Sequence, residues 1–257
     1  MFLKTLSSLS KGMEVLMSFT MENSEWGVRE LANHLGYPRS TVQMLLKTLK
    51  DTGLLIQTPN RRYRLGWGVF ELAGVFLAQL ELRKVALPVM KKLADAIGEI
   101  VHLGVLDDGQ VIYVEKVEGS KSIPLITRLG LRYPAYCTAV GKVLLAHVRE
   151  DQTMKLDLVP MTPETIVDIR TLQEELAQIR SKGIAYDREE AVSGLTCIAV
   201  PIRDFTGEVI AGISISAPTI RFKQREKQWT EMIIKASKEI SSEMGFFRKA
   251  AGYRKNG

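Results

Sequence analysis

The chain has 257 residues, enough for two domains, and its apolar fraction of 46% is ordinary for a well-packed globular protein. Its two cysteines cannot form a disulfide framework, and their spacing from the three histidines matches no metal site. The first residues do not continue into an apolar signal core, and no run of residues is long enough to span a membrane. The sequence therefore predicts a cytoplasmic protein with no metal, no cofactor and no membrane partner.

Positive charge is concentrated in the N-terminal quarter of the chain. The net charge is +6, and residues 1–65 contribute +4 of it through nine Lys and Arg against five Asp and Glu. Such an excess on a short segment favours contact with the phosphates of a nucleic acid.

Two short helices joined by a tight turn are predicted between Val28 and Gly53. Apolar residues recur at helical spacing up to Leu35, and Gly36 ends this first helix. Pro38 stands where a new helix can start, because a proline in the first turn loses no hydrogen bond. Gly53 ends the second helix. The apolar face of that helix consists of Val42, Leu45, Leu46 and Leu49.

A β-hairpin is predicted next, with strands at Leu54–Gln57 and Arg61–Leu65. Helix, turn, helix and hairpin are typical of a winged helix-turn-helix, whose second helix enters the DNA major groove while the wing follows the phosphates. Small helix-turn-helix units also occur as structural parts of larger all-α domains. The DNA-binding interpretation assigns these residues to the contact: Arg39, Ser40, Thr41, Gln43, Met44 and Lys47 of the second helix, and Arg61 and Arg62 of the wing.

Two further helices are predicted around this motif. An opening amphipathic helix completes a three-helix core, and residues 65–82 form a long connecting helix with a broad apolar stripe. The stripe either packs onto the adjacent domain or pairs with the same helix of a second subunit. We favour pairing, because helix-turn-helix proteins commonly bind two half-sites of a pseudo-palindromic operator as symmetric dimers.

The remainder of the chain is predicted to be an α+β domain with one antiparallel sheet flanked by helices. An Asp-Gly turn at residues 108–109 between alternating apolar runs indicates a hairpin. The predicted organisation is a winged helix-turn-helix DNA-binding domain at 1–65, a linker helix at 66–82, an effector-binding domain at 83–247 and a flexible tail at 248–257. Within the C-terminal part we expect helices at Pro88–Ile97, 151–158, 166–179 and 225–246, and strands opening at Ala185, Thr196 and Val209.

Two features of this domain indicate a ligand site. Thr138 is placed to cap a helix that begins with the amides of Ala139 and Val140, and such amides attract an anion, for which a small carboxylate is the natural guest. On a later strand Ser214 and Ser216 alternate with isoleucines and therefore share one face. The alternatives are an ordinary capped helix with a buried glycine contact, and a pair of serines that face solvent instead of forming the polar floor of a pocket.

Motifs along nearly the whole chain, in the same order, resemble those of the IclR family of bacterial transcriptional regulators. No single motif is decisive, but their order makes the resemblance strong. They are Gly36, Pro38, Ser40-Thr41-Val42, Leu45-Leu46 and Tyr63-Arg64-Leu65-Gly66; then Gly130-Leu131-Arg132-Tyr133-Pro134 and Thr138-Ala139-Val140-Gly141-Lys142; and finally 183–190, Gly194, Cys197, Pro201-Ile202, Gly207 and Ser214-Ile215-Ser216-Ala217-Pro218.

The resemblance implies a GAF-like effector domain joined by a helix to the DNA-binding domain, dimers that pair into tetramers, and a small organic acid as effector. It implies a repressor that binds a double-stranded operator. The residues that match the family's pocket are Ala139, Val140, Asp187, Cys197, Ser214 and Ser216, and they agree with the site inferred from capping and strand alternation.

The sequence departs from the family pattern at Gln43 and Met44 and in the triplet Ala135-Tyr136-Cys137, which is more commonly Leu-His-Ala. Many members carry His where Gln43 stands and Arg where Met44 stands, and a glutamine can bind adenine through two hydrogen bonds. Tyr136 occupies a position that is commonly His, so a bulky ring is expected to reshape the pocket mouth.

Two other functions fit parts of the sequence. A cysteine-dependent hydrolase would use Cys197 or Cys137 as nucleophile and His102 or His147 as base, but Cys197 lies in an apolar strand, where thiols are usually inert. We expect His102 to be a packed or edge polar residue. A DNA-binding scaffold without ligand would leave the hydroxyl groups of the C-terminal domain unexplained.

Overall fold

The computed structural model describes residues 7–79, 81–149, 153 and 156–246. The chain divides between residues 80 and 81 into two compact units, each with its own core. The tail predicted at 248–257 lies outside the described residues, as do four of the eight residues of the helix predicted at 151–158. Of the other four, residue 153 is helical and residues 156–158 are not. Among the described residues no helix combines the length and the apolarity needed to cross a bilayer.

The N-terminal unit is a winged helix-turn-helix. Its buried core joins all three helices to the hairpin through residues such as Val15, Leu31, Leu46 and Leu55. Gly36 ends the second helix at a φ of 68°, a left-handed conformation that glycine adopts at little cost. The elements are α1 Ser7–Met17, α2 Val28–Leu35, α3 Arg39–Asp51, β1 Leu55–Gln57 and β2 Tyr63–Leu65.

The hairpin strands are shorter than the sequence suggested. Arg61 was assigned to the returning strand, but its φ of 58° places it in the turn, where its amide donates to the Thr58 carbonyl at 2.9 Å. Left-handed backbone at a non-glycine residue interrupts an extended strand, so pairing begins only at Tyr63.

The connecting region contains two helices, α4 Trp67–Gln79 and α5 Glu81–Ile97. The prediction that a helix starts at Pro88 is wrong, because Pro88 lies inside α5. A proline in a helix interior removes one backbone hydrogen bond. The buried face of the helix, which includes Met90 and Leu93, packs into the sheet core on both sides of the proline and offsets that loss.

The C-terminal unit is built on a six-stranded antiparallel sheet flanked by helices. After α5 its elements are β3 Ile100–Asp107, β4 Gln110–Val117, β5 Arg132–Pro134, a 3-10 turn Ala135–Cys137, α6 Ala139–Leu145, α7 Ile169–Lys182, β6 Ala185–Arg188, β7 Leu195–Arg203, β8 Val209–Pro218 and α8 Thr219–Glu243. The strand order is β5-β4-β3-β8-β7-β6. Helices α5 and α8 cover one face of the sheet, and α6 and α7 cover the other. The predicted α+β class, a winged helix-turn-helix followed by an antiparallel sheet flanked by helices, is therefore confirmed.

Helix α6 lies directly on the sheet because two paired glycines leave room for it. Gly104 on β3 pairs with Gly212 on β8. A Cβ atom at these positions would come within 2.9 Å and 3.1 Å of the Val140 Cγ1 atom. This close approach brings the first turn of α6 against the polar residues of the neighbouring strands.

Candidate effector cavity and nucleic-acid interface

A small cavity lies between the start of α6, the sheet and an irregular segment, residues 122–128, which we call the cover segment. Its volume is about 50 Å³. The structure brings all seven residues of the predicted effector site to its wall: Thr138, Ala139, Val140, Asp187, Cys197, Ser214 and Ser216. Residues from four separate elements therefore converge on one chamber.

Strand register explains how the polar side chains meet. Asp187 on β6 pairs with Cys197 on β7, and Cys197 pairs with Ser216 on β8, so the three residues form one row across the sheet. On the other side of β8, Ser214 pairs with His102 of β3. Side chains of directly paired residues point to the same face, so this row faces α6 as a group.

The start of α6 has the geometry expected of a capped helix. The Thr138 hydroxyl accepts a hydrogen bond from the Gly141 amide at 3.0 Å. The amides of Ala139 and Val140 belong to the first turn, where a helix supplies no acceptor of its own. A Cβ atom at Gly141 would lie 2.1 Å from the Ala135 carbonyl oxygen, so only glycine permits this packing.

Asp187 is the acidic member of the cavity wall, with an exposed fraction of 2%. Its Oδ1 atom accepts hydrogen bonds from the amides of Glu190 at 2.8 Å and Ala191 at 3.3 Å. Burial, and then the nearby Glu190 carboxylate, raise the pKa of Asp187 to about 7, against the lowering effect of these amide bonds. The carboxyl group is therefore poised to gain or lose a proton near neutral pH.

Neither cysteine has the surroundings of a nucleophile. Burial raises the pKa of Cys137 to about 12, and burial followed by the Asp187 charge raises that of Cys197 well above its ordinary value. Within the described ranges neither candidate histidine is hydrogen-bonded to a thiol: His102 bonds Thr127 and Ser216, and His147 bonds the Val143 carbonyl and Arg203.

His102 lines the cavity wall, although the sequence predicted only a packed or edge polar residue. Its Nε2 atom lies 2.8 Å from the Thr127 hydroxyl of the cover segment, and its Nδ1 atom lies 3.3 Å from the Ser216 hydroxyl. Burial, and the Lys116 charge after it, lower the pKa of His102 to about 3, so the ring is neutral. Its position opposite Ser214 on an adjacent strand was the available signal, but register cannot be assigned from one sequence.

Tyr136 does not reshape the cavity mouth, contrary to expectation. Its side chain is buried outside the cavity wall, and its hydroxyl donates to the Val159 carbonyl at 2.7 Å and accepts from the Val159 amide at 3.0 Å. The tyrosines on the wall are Tyr113 and Tyr133 instead.

A buried ion cluster supports α6 from behind. The Lys142 side chain is fully buried, and its Nζ atom lies 2.6 Å from both Glu175 on α7 and Glu190. The Glu190 amide in turn donates to Asp187. The cavity wall and this ion cluster are thus held by the same short segment of chain.

In the N-terminal unit, the residues assigned to DNA contact lie on one side of α3. Arg39, Ser40, Gln43, Met44 and Lys47 are exposed, and Met44 has an exposed fraction of 63%. Thr41 is half-buried, while the alternate face of the helix is packed into the core. The exposed face combines cations with hydrogen-bonding groups, as the recognition helix of such a motif requires.

The two wing arginines differ. Arg61 is exposed at the turn, with no ion pair among the described residues. Arg62 is bound within the unit: it makes two hydrogen bonds to the Glu30 carboxylate, at 2.7 and 2.9 Å, and one to the Glu25 carbonyl at 3.0 Å. The Arg62 guanidinium fastens the wing to the start of α2, so we assign it a structural role and leave the phosphate contact of the wing to Arg61 as a prediction.

Comparison with known proteins identifies this arrangement. Residues 8–59 match the family model described as IclR helix-turn-helix domain, and residues 75–242 match that described as Bacterial transcriptional regulator IclR C-terminal. The chain belongs to the IclR family. It is a DNA-binding transcriptional regulator, as the resemblance implied.

Individual members of the IclR family are similar to this chain over almost their whole length. The HTH-type transcriptional regulator KdgR of Escherichia coli strain K12 is 35% identical over 248 residues, 94% of each chain. The Transcriptional repressor IclR of the same strain is 32% identical over 251 residues, 95% of this chain and 92% of the relative. A solved structure of an IclR homologue complexed with 4-hydroxybenzoate, from Microbacterium hydrocarbonoxydans, has a TM-score of 0.84 at 26% identity and covers 92% and 98% of the two chains.

These relatives are transcriptional regulators and not enzymes, so the hydrolase alternative is wrong. The thiol environments are consistent with this result, because a nucleophilic cysteine needs a lowered pKa or an adjacent base.

Proposed function

We propose that this protein is a repressor whose operator affinity is set by a small organic acid bound in the C-terminal cavity. The observation that supports this most directly is the convergence of helix amides, two serines, a thiol and a carboxyl on one small cavity. Residues 1–65 bind DNA, residues 66–82 link the parts, and residues 83–247 bind the effector. The protein acts in the cytoplasm, where its operator lies.

The DNA contact in this proposal uses the exposed side of α3 and the tip of the wing. Gln43 reads a base edge, since an amide can pair with adenine through two hydrogen bonds, while Arg39, Lys47 and Arg61 bind phosphates. Ser40, Thr41 and Met44 complete the contact surface. Sequence preference then resides in α3, and the wing supplies affinity that depends on salt.

Two copies of the chain bind a pseudo-palindromic operator in this proposal. Helix α4 exposes large apolar side chains that a monomer leaves in water; Trp67 is 74% exposed, Phe70 69%, Val75 60% and Phe76 58%. Burial of apolar surface stabilises association by roughly 25 cal/mol per Å². A second α4 therefore provides a partner of matching chemistry, and pairs of dimers form tetramers.

The effector is a small acid whose carboxylate accepts from the Ala139 and Val140 amides beside Thr138. Ser214, Ser216 and Cys197 hydrogen-bond its other end, and Asp187 faces it. The bound 4-hydroxybenzoate of the Microbacterium homologue is an acid of this kind. Because a cavity of about 50 Å³ is small for an organic acid, we expect the cover segment to move outward when the acid binds.

The effector changes operator affinity only if it binds one arrangement of the protein better than another. A coupling free energy of about 1–3 kcal/mol is typical and corresponds to roughly a 5- to 150-fold change in affinity. The test is a thermal-shift screen of 2-oxo acids, sugar acids and aromatic acids, followed by operator titration by fluorescence anisotropy with and without each hit. A ligand held only by the folded state raises the melting temperature.

Ser214→Ala is expected to weaken acid binding about 3- to 10-fold, because one hydrogen bond of about 1 kcal/mol is lost while the fold is kept. Calorimetric titration of a hit from the screen measures this loss. Ser242→Ala, on the last turn of α8, is the matched control and should bind the acid as the wild type does. Undiminished affinity in Ser214→Ala would contradict the proposed hydrogen bond between Ser214 and the acid.

Arg61→Ala and Arg62→Ala are expected to have different effects. Losing a phosphate contact in Arg61→Ala should reduce the log–log salt slope of DNA binding by about one and leave sequence preference unchanged. Arg62→Ala should instead release the wing from Glu30 and lower the melting temperature of the N-terminal unit. Anisotropy titrations from low to high salt, with melting curves, separate the two. Equal slopes for Arg61→Ala and the wild type would contradict the wing contact.

A further inference from the structure

The cavity contains one acidic side chain and, among the residues that the structure describes, no lysine or arginine on its wall. The acidic side chain is that of Asp187, and the other polar side chains of the wall are hydroxyls, a thiol, two phenols and a neutral imidazole. A site for an anion usually offers a cation to neutralise it. This wall adds a second negative charge instead.

The nearest cations are engaged elsewhere. Lys142 lies behind the wall with its Nζ atom 2.6 Å from two glutamates, so its charge is already compensated. Lys116 is not a wall residue; its Nζ atom donates to the Leu125 carbonyl at 3.3 Å and pairs with Glu118 at 2.8 Å. Each amine is therefore already paired with a carboxylate of the protein.

Two carboxylates enclosed together in a site of low dielectric cannot both remain ionised without a large cost, and one of them takes up a proton. We propose that the cavity binds a monocarboxylate together with one proton, which the ligand and Asp187 share. This inference rests on the proposed effector site. It also defines the ligand class: a dicarboxylate of similar size would bring a third charge for which the wall has no partner.

The other titratable groups around Asp187 are poorly suited to take this proton. Burial is the leading cause that raises the pKa values of the Cys137 and Cys197 thiols and of the Tyr113 and Tyr133 phenols, which keeps them all protonated. The remaining charged neighbours are Glu190, which is paired with Lys142, and Lys142 itself.

Asp187 is therefore the group that we expect to become protonated when the ligand binds. Its pKa of about 7 means that the free protein is largely ionised at this residue above pH 7 and largely protonated well below it. Binding should consume close to one proton at pH 8 and little at pH 5.5. Affinity should then fall about tenfold for each pH unit above 7, because each binding event must remove a proton from solution.

The experiment is isothermal titration calorimetry of the full chain at pH 8, in phosphate and in Tris, whose ionisation enthalpies differ. The probes are pyruvate, gluconate and 4-hydroxybenzoate, with malonate as the dicarboxylate. The difference in observed enthalpy between the buffers gives the protons taken up. We expect a value near one for the wild type and near zero for Asp187→Asn, whose affinity should no longer depend on pH. Malonate should bind at least tenfold more weakly than pyruvate.

The exposed acid Glu174 provides the control, and Glu174→Gln should take up the same proton as the wild type. If Asp187→Asn fails to fold, the buffer series and the pH series on the wild type still test whether binding takes up a proton. Binding of a monocarboxylate without proton uptake at pH 8 would overturn this inference and leave the proposed function intact. Absence of binding by every acid would overturn both.

Discussion

Lys142→Met is expected to lower the free energy of unfolding of the C-terminal unit by about 3–5 kcal/mol, the usual cost of breaking a buried ion pair from one side. Lys142 is fully buried, and its ammonium group is shared by Glu175 and Glu190 at 2.6 Å each. Burial raises the pKa of Glu190, and Lys142 opposes that shift. Without the lysine, Glu190 must remain charged and unpaired or take up a proton.

Urea denaturation followed by circular dichroism measures this change. Lys182→Met is the matched control, since Lys182 is an exposed lysine at the end of α7, and its unfolding free energy should change by less than about 0.5 kcal/mol. Adding Glu190→Gln to Lys142→Met should restore part of the loss, because the orphaned charge is removed. If Lys142→Met and Lys182→Met prove equally stable, the cluster contributes nothing to the fold.

The second large effect is expected for Gly141→Ala. The free energy of unfolding should fall by about 3 kcal/mol, the upper end of the usual range for overpacked sites. The added Cβ atom would lie 2.1 Å from the Ala135 carbonyl oxygen and 2.3 Å from its Cα atom, both of which belong to the backbone and cannot rotate away. Helix α6 must therefore shift, and the Thr138 cap and the Ala139 amide shift with it. We expect acid affinity to fall at least tenfold.

Gly12→Ala provides the comparison, because a Cβ atom at Gly12 in α1 meets no atom within 4 Å. Alanine there should raise stability slightly, since it favours a helix over glycine by about 1 kcal/mol. Denaturation curves and calorimetry on both variants distinguish a local clash from a general effect of the substitution. Wild-type acid binding by Gly141→Ala would show that the position of α6 does not define the site.

Local signals were sufficient for the parts of the fold that local chemistry determines. Gly36, Pro38 and Gly53 mark the limits of the helices in the N-terminal unit, and the structure places its helices within those limits. The alternation of Ser214 and Ser216 with isoleucines assigned both hydroxyls to one face, and both line the cavity. Such features depend on a few neighbouring residues and on periodicity, which a sequence displays directly.

The features that the sequence did not reveal depend on contacts between distant segments. Pro88 resembled a helix start, but burial on both sides of it keeps α5 continuous. From the sequence Arg62 resembles a phosphate ligand, but in the structure it is bound by Glu30, 32 positions away. The contribution of His102 depends on strand register, and the Tyr136 hydroxyl is bound by Val159, 23 positions away; no periodicity encodes either feature.

The cover segment has a consequence for the speed of the response. It is tied down at two points, by the His102–Thr127 hydrogen bond and by the bond from Lys116 to the Leu125 carbonyl. In the proposed function the cover segment moves outward to admit the acid, and we expect both ties to release in that step. The entry rate then approaches a ceiling at high acid concentration, which is set by the release step and not by diffusion.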